Sequence, residues 1–121
     1  MQEEMVIFSR TFDMLTWLLP ACDKFPKPQR FVVTKRLTDA ALDFQEALFD
    51  ANAQRGAERL AILRQADAHL HKVRLYLRLA YQWRWLSVGQ YEHVSKMIEE
   101  IGRLLGGWMR QTQSKHSNDA L

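Results

Sequence analysis

Met5, Phe8, Phe12, Leu15, Leu19 and Cys22 follow one another at alternating steps of three and four residues. That spacing is the repeat of one helix face, whereas a half-buried strand would step by two. The same period returns in three further stretches, so the pattern commits most of the chain to helices. An all-β domain would need a turn roughly every 8 to 12 residues, and 5 Gly and 3 Pro among 121 residues cannot supply them. With 47% apolar residues the chain has enough to build a core, and at this length it builds one.

Helix one is expected to end near Lys24, with Pro20 kinking or stopping it. The segment Lys24-Phe25-Pro26-Lys27-Pro28 forbids continuation, and Pro28 suits the first turn of a second helix running to Asn52. There Val33, Leu37, Ala40, Ala41, Phe44, Leu48 and Ala51 form an apolar face opposite Lys35, Asp39, Asp43, Glu46 and Asp50. Phe31, Leu42 and Phe49 align between the two faces as a second apolar stripe.

Helix three is expected from Gly56 to about Trp85, with Leu60, Leu63, Leu70, Leu77 and Tyr81 on one stripe and Ile62, Ala66, Val73, Tyr76, Ala80 and Trp83 beside it. Ser87-Val88-Gly89-Gln90 reads as a capping box that opens helix four. Tyr91, Val94, Ile98, Ile101, Leu105 and Met109 make its main face, with Met97, Leu104 and Trp108 alongside. The expectation is an all-α, antiparallel up-and-down four-helix bundle over residues 1–112, followed by a polar, disordered tail at 113–121. The apolar surface exceeds what one bundle core takes up, which predicts a barrel-like homo-oligomer.

Catalytic signals are absent. No Glu or Asp is followed by His three residues later, so the Glu-x-x-His pair of a di-iron bundle is missing. His69 and His71 diverge on a helix, and one Cys with four His gives no CxxC or HxxxH spacing. No phosphate loop or nucleophile elbow occurs. No catalytic residue, metal or cofactor is expected, and Cys22 is expected to be a small buried residue. No apolar run approaches the roughly 18 residues of a membrane span, and Glu3 and Glu4 stand where a signal peptide carries positive charge. A soluble, cytoplasmic protein with no membrane partner is expected.

Gly102, Gly106 and Gly107 lie within the periodic run of helix four. Either the helix ends at Gly106-Gly107 with Gly as a C-cap, or Gly102 and Gly106 form a smooth strip for a second helix backbone. The second alternative adds Gly102, Gly106 and Trp108 to Phe31, Leu42 and Phe49 as the expected oligomer interface.

Charge is the sharpest functional signal. The net charge is only +3, yet Lys24, Lys27, Arg30, Lys35 and Arg36 occur with no acid between them, as do Lys72, Arg74, Arg78 and Arg84. In an antiparallel bundle the start of helix two and the end of helix three meet at one end, while Asp39, Asp43, Glu46, Asp50 and Glu58 are expected toward the other. Arg74, Arg78 and Arg84 alternate with Tyr76, Tyr81, Trp83 and Trp85. Arginine contacts phosphate and aromatic rings stack on unpaired bases. Lys27, Arg30, Lys35, Arg36, Arg74, Arg78 and Arg84 are therefore the candidate nucleic-acid or partner-binding residues.

Four stretches carry a family resemblance: Lys24-Phe25-Pro26 through Arg30-Phe31, Leu75 through Ala80, Leu86 through His93, and Glu100 through Trp108. They resemble the Avd proteins, accessory variability determinants of diversity-generating retroelements, and the wider family that includes proteins encoded in intervening sequences of ribosomal RNA genes. The resemblance spans about residues 8 to 110 and matches Arg30, Arg74 and Arg78 to basic positions of the family. It implies a barrel-shaped homopentamer of four-helix bundles with a basic surface for RNA or DNA. In the Avd branch it implies a non-catalytic accessory to a reverse transcriptase and its template RNA in mutagenic cDNA synthesis. In the other branch it implies a structural or protein-interaction bundle with no reverse-transcriptase partner.

Overall fold

The computed structural model describes residues 3–120, and the side chains of residues 6–115. Four helices follow in order: α1 Glu3–Cys22, α2 Val33–Asn52, α3 Gly56–Gln82 and α4 Val88–Ala120. Each packs on its neighbour in sequence and α1 closes the ring on α4, while the backbones of the diagonal pairs stay more than 8 Å apart, Cα to Cα, among the described residues. Antiparallel order shows in the pairings Phe8 with Trp108 and Trp17 with His93 across α1 and α4, and Arg74 with Gly102 and Tyr81 with Tyr91 across α3 and α4. The expected up-and-down bundle is what forms.

Helix α2 follows its sequence pattern closely. Leu37, Ala40, Ala41, Phe44, Leu48 and Ala51 are buried and Val33 half-buried. Its start differs from expectation. Pro28 lies within a 3-10 turn, Lys27–Gln29, and the α-helix begins only at Val33, because Val32 (φ −116°, ψ −99°) leaves the helical region. The preceding helix ends at Cys22, two residues before Lys24, in a run of three-residue turns: the N–H groups of Asp23, Lys24 and Phe25 donate to the carbonyls of Pro20, Ala21 and Cys22.

The stripe expected on α1 is rotated by about one residue. Ile7, Thr11, Met14, Leu15, Leu18 and Cys22 are buried, while Phe8 and Leu19 are half-buried and Phe12 is 67% exposed. Met5 lies outside the described side chains. A buried threonine and an exposed phenylalanine one residue apart invert the pattern that hydrophobicity alone suggests. The Thr11 hydroxyl has no hydrogen-bond partner among the described residues.

Helix α3 stops at Gln82, three residues short of expectation, and Leu60, Leu63, Ala66, Leu70, Val73, Leu77 and Ala80 face inward. Its first residue, Gly56, has φ 57°, a left-handed value that only Gly adopts without cost. One turn later Arg59 holds the end of α2: Nε donates to the Ala51 carbonyl (3.0 Å) and Nη2 to the Asn52 carbonyl (3.3 Å). The same guanidinium lies 5.6 Å over the Trp108 ring. Trp108 is 1% exposed, so this expected interface residue belongs to the chain's own core.

The capping box opens α4 as expected. The Ser87 N–H donates to Gln90 Oε1 (2.8 Å) and the Gln90 N–H to Ser87 Oγ (3.1 Å). The helix continues through Gly106-Gly107, which removes the C-cap alternative. Among the described residues, side chains and not a second helix backbone stand nearest the Gly102 notch. Arg74 lies across it, and a Cβ at Gly102 would stand 2.5 Å from Arg74 Nη2 and 3.8 Å from Leu70 Cδ2. At Gly106 the nearest group is Nη1 of Arg110, 3.3 Å from a Cβ. No helix among the described residues is long and apolar enough to cross a membrane.

Candidate nucleic-acid interface

The bundle end that carries the α1–α2 and α3–α4 connections is joined by aromatic contact. Phe25 is buried between Lys24 and Pro26, and its ring lies 5.4 Å from Trp85. This contact brings the Lys24 to Lys27 segment against the turn that holds Arg84, so the two basic stretches do meet at one end.

They do not share one groove. Lys27 and Arg30 border a small hollow with Cys22, Asp23, Phe25 and Thr34. Arg30 and Lys35 flank Phe31 in the neighbouring α1–α2 groove. Arg36 and Lys72 share the α2–α3 groove with Asp39, Asp43 and His69. Arg74 and Arg78 line a hollow of about 350 Å³ between α3 and α4 with Tyr91, Ser95 and Glu99. Arg84 borders a further region, the α3–α4 turn, with Gln82, Trp85 and Gln90.

The seven candidate cations are thus brought to one half of the bundle and divided among its grooves, with Arg30 across the bundle from Arg74 and Arg78. Lys35 pairs with Asp39 one turn along α2, and among the described residues the other six form no ion pair. Asp39 and Asp43 were expected at the far end. They stand instead beside Arg36 and Lys72, because the acidic face of α2 starts one turn after its basic residues.

The aromatic residues of this end sort by exposure. Tyr81 is stacked on Tyr91 with ring centroids 4.4 Å apart and planes 4° from parallel. Tyr76 and Trp85 are half-buried against the core. Trp83 is 50% exposed, with one side 5.1 Å from the Trp85 ring. It precedes Arg84, whose φ of 63° is left-handed. No residue pattern marks that backbone, since the position is one that Gly ordinarily fills.

The expected oligomer stripe is exposed: Phe31 by 79%, Phe49 by 60% and Leu42 by 38%. Phe8 of α1 stacks on Phe49 at 5.1 Å, and Phe12 adds apolar surface that periodicity had placed inside. Among the described residues no three His, Cys, Asp or Glu gather where they could hold a metal ion. Cys22 is 3% exposed, and desolvation, with Asp23 second, pushes its thiol pKa up to about 12. A thiol so protonated is a poor nucleophile at neutral pH.

The fold and site are those of an antiparallel four-helix bundle that collects in one half six cations with no ion-pair partner among the described residues. Over residues 5–112 the sequence matches the bAvd-like family, and the chain belongs to it. The fold is similar to a solved Bacteroides thetaiotaomicron structure, described as a protein with unknown function from the S23 ribosomal protein family. The TM-score is 0.81 at 15% identity, covering 90% of this chain and 99% of that one. That likeness is one of fold. No curated protein matches the chain.

Proposed function

We propose that the chain is a non-catalytic accessory protein of a diversity-generating retroelement, binding template RNA, and DNA in the same manner, together with the retroelement's reverse transcriptase in the cytoplasm. Membership of the bAvd-like family supports the accessory role. The observation that carries nucleic-acid binding is the set of six cations, Lys27, Arg30, Arg36, Arg74, Arg78 and Arg84, in one half of the bundle with no ion-pair partner among the described residues. The exposed Phe31, Leu42 and Phe49 support assembly into a homo-oligomer, a pentamer by family resemblance, in which the basic half would repeat around a ring.

Phosphate contacts dominate such binding, so affinity should fall steeply with salt and vary little with sequence. Because Arg74 and Arg78 share a groove that Arg30 does not, their joint replacement by Ala is expected to weaken binding of a structured RNA more than Arg30→Ala does. Each phosphate contact removed should reduce the salt slope by roughly 0.7 to 0.9. Unchanged affinity and slope when Arg30, Arg74 and Arg78 are all replaced by Ala would leave the cations as solvated faces. Light scattering that finds only a 14.2 kDa monomer would remove the oligomer.

The second function, a structural or protein-interaction bundle with no reverse-transcriptase partner, is favoured by the dispersal of the cations over separate grooves. A reverse-transcriptase gene with a near-repeat pair beside this gene decides for the first, and their absence for the second.

A further inference from the structure

Three hydrogen bonds finish α3: the Trp83 N–H donates to the Leu79 carbonyl (3.0 Å), the Arg84 N–H to that of Tyr81 (3.0 Å) and the Trp85 N–H to that of Ala80 (2.8 Å). This is the Schellman pattern, and its left-handed position is the one where Gly is commonest. Here that position holds Arg84 at φ 63°. A side chain kept where the backbone favours none points to a use for that side chain. The turn needs no help from it: Leu86 anchors the next residues in the core, and the Ser87–Gln90 box closes the start of α4.

Trp83, immediately before it, is the aromatic residue of the α3–α4 turn with an exposed ring face; Phe31, also exposed at this end, lies in the α1–α2 groove. Tyr81 is occupied by Tyr91, and Trp85 lies between Trp83 and Phe25. Trp83 is half exposed and backed by Trp85, whose ring centroid lies 5.1 Å away. The turn borders a hollow of about 730 Å³. No acidic residue occurs between Asp67 and Glu92, and Lys24 and Lys27 flank the Phe25 on which Trp85 rests. Asp23 is the nearest acid in sequence on the α1 side.

We propose that the α3–α4 turn is a stacking site for an unpaired nucleobase of a single-stranded RNA segment. The exposed ring of Trp83 is the platform, and the Arg84 guanidinium meets the adjoining phosphate. The pairing suits that ligand because every base has a π-face and its phosphate needs a cation one backbone step away. Arg74 and Arg78, in a different groove, would recognise the backbone of paired RNA without stacking. The inference rests on the RNA-binding function proposed above and adds to it a preference for unpaired segments.

The test compares a labelled oligouridylate of about a dozen nucleotides with a blunt RNA duplex of the same length, by fluorescence anisotropy on the full chain. Trp83→Leu is expected to weaken oligouridylate binding about tenfold, to leave the salt slope unchanged, and to spare the duplex. Trp83→Tyr should retain most of the affinity. Arg84→Gly, which places at this left-handed position the residue that adopts it without cost, should lower the oligouridylate salt slope by about 0.7.

Wild-type affinity and slope in both turn variants would overturn the proposal. If duplex binding then still depends on Arg74 and Arg78, RNA binding stands and only the stacking site falls. Binding of neither RNA by the wild-type chain removes both. If Trp83→Leu loses a reverse transcriptase but not oligouridylate, the turn is a protein contact and the stacking site is overturned.

Discussion

The two ends of the bundle use the same residue types in opposite ways. At the α2–α3 end a left-handed residue is Gly56, and Arg59 turns inward to satisfy two carbonyls and cover the buried Trp108. At the α3–α4 end the left-handed residue is Arg84, and the tryptophan beside it, Trp83, is half exposed. The first end spends its arginine and tryptophan on stability. The second carries a strained backbone and keeps both side chains available, which is how a binding surface differs from a staple made of the same parts.

The largest test of that contrast is Trp108→Ala against Trp83→Ala. Emptying the Trp108 site should cost about 3–5 kcal/mol in urea unfolding, whereas Trp83→Ala should cost under about 1 kcal/mol. Comparable losses would mean that Trp83 is structural. Next comes Arg59→Ala, which strands two carbonyls at the end of α2 and removes the cation over the indole. A loss of about 2 kcal/mol is expected by thermal and urea denaturation. Arg84→Ala, by contrast, should leave stability within about 0.5 kcal/mol of wild type.

The left-handed positions give opposite signs. Gly56→Ala should lower stability by about 1 kcal/mol, and Arg84→Gly should raise it by up to about 1 kcal/mol. A destabilised Arg84→Gly variant would show that the arginine holds the turn, against the functional use proposed for it.

The smallest effect concerns Cys22, on the basic end. Its folded pKa is raised from 9.0 to about 12, so the folded state holds a proton that the unfolded chain releases first. That contribution to stability is fully present below pH 9 and is lost as pH rises from 9 toward 12. Between pH 7 and 8.5 the urea midpoints of wild type and Cys22→Ala should vary with pH in parallel. Above pH 9 the wild-type midpoint should fall faster than that of Cys22→Ala.

How legible each part was depends on how local its cause is. The capping box could be read directly, because its two partners lie three residues apart. The buried face of α2 was legible because charged residues mark its opposite side. Helix α1 lacks that contrast: Thr11 goes in and Phe12 stays out, and only packing against α2 and α4 decides it. The meeting of the basic stretches follows from antiparallel order alone. Their division among grooves does not, since the 3-10 turn and Val32 reset the helical phase between Lys27 and Lys35. The Gly102 notch was visible as a gap. What fills it, the guanidinium of Arg74 from the preceding helix, is a property of side-chain reach that spacing does not encode.

The ring of contacts described for the fold also sets an order of events. Three of its four seams join helices that are neighbours in sequence, and such local pairings carry little loop-closure entropy. The fourth, α1 on α4, joins residues as far apart as Arg10 and Glu100, which meet at 2.9 Å. Helices α2 to α4 can therefore assemble as a sequential hairpin stack, with the docking of α1 as the slow, entropy-limited step. Mutations at Ile7 or Met14 should then chiefly accelerate unfolding, while Phe44→Leu slows folding as well, a split that stopped-flow kinetics resolves.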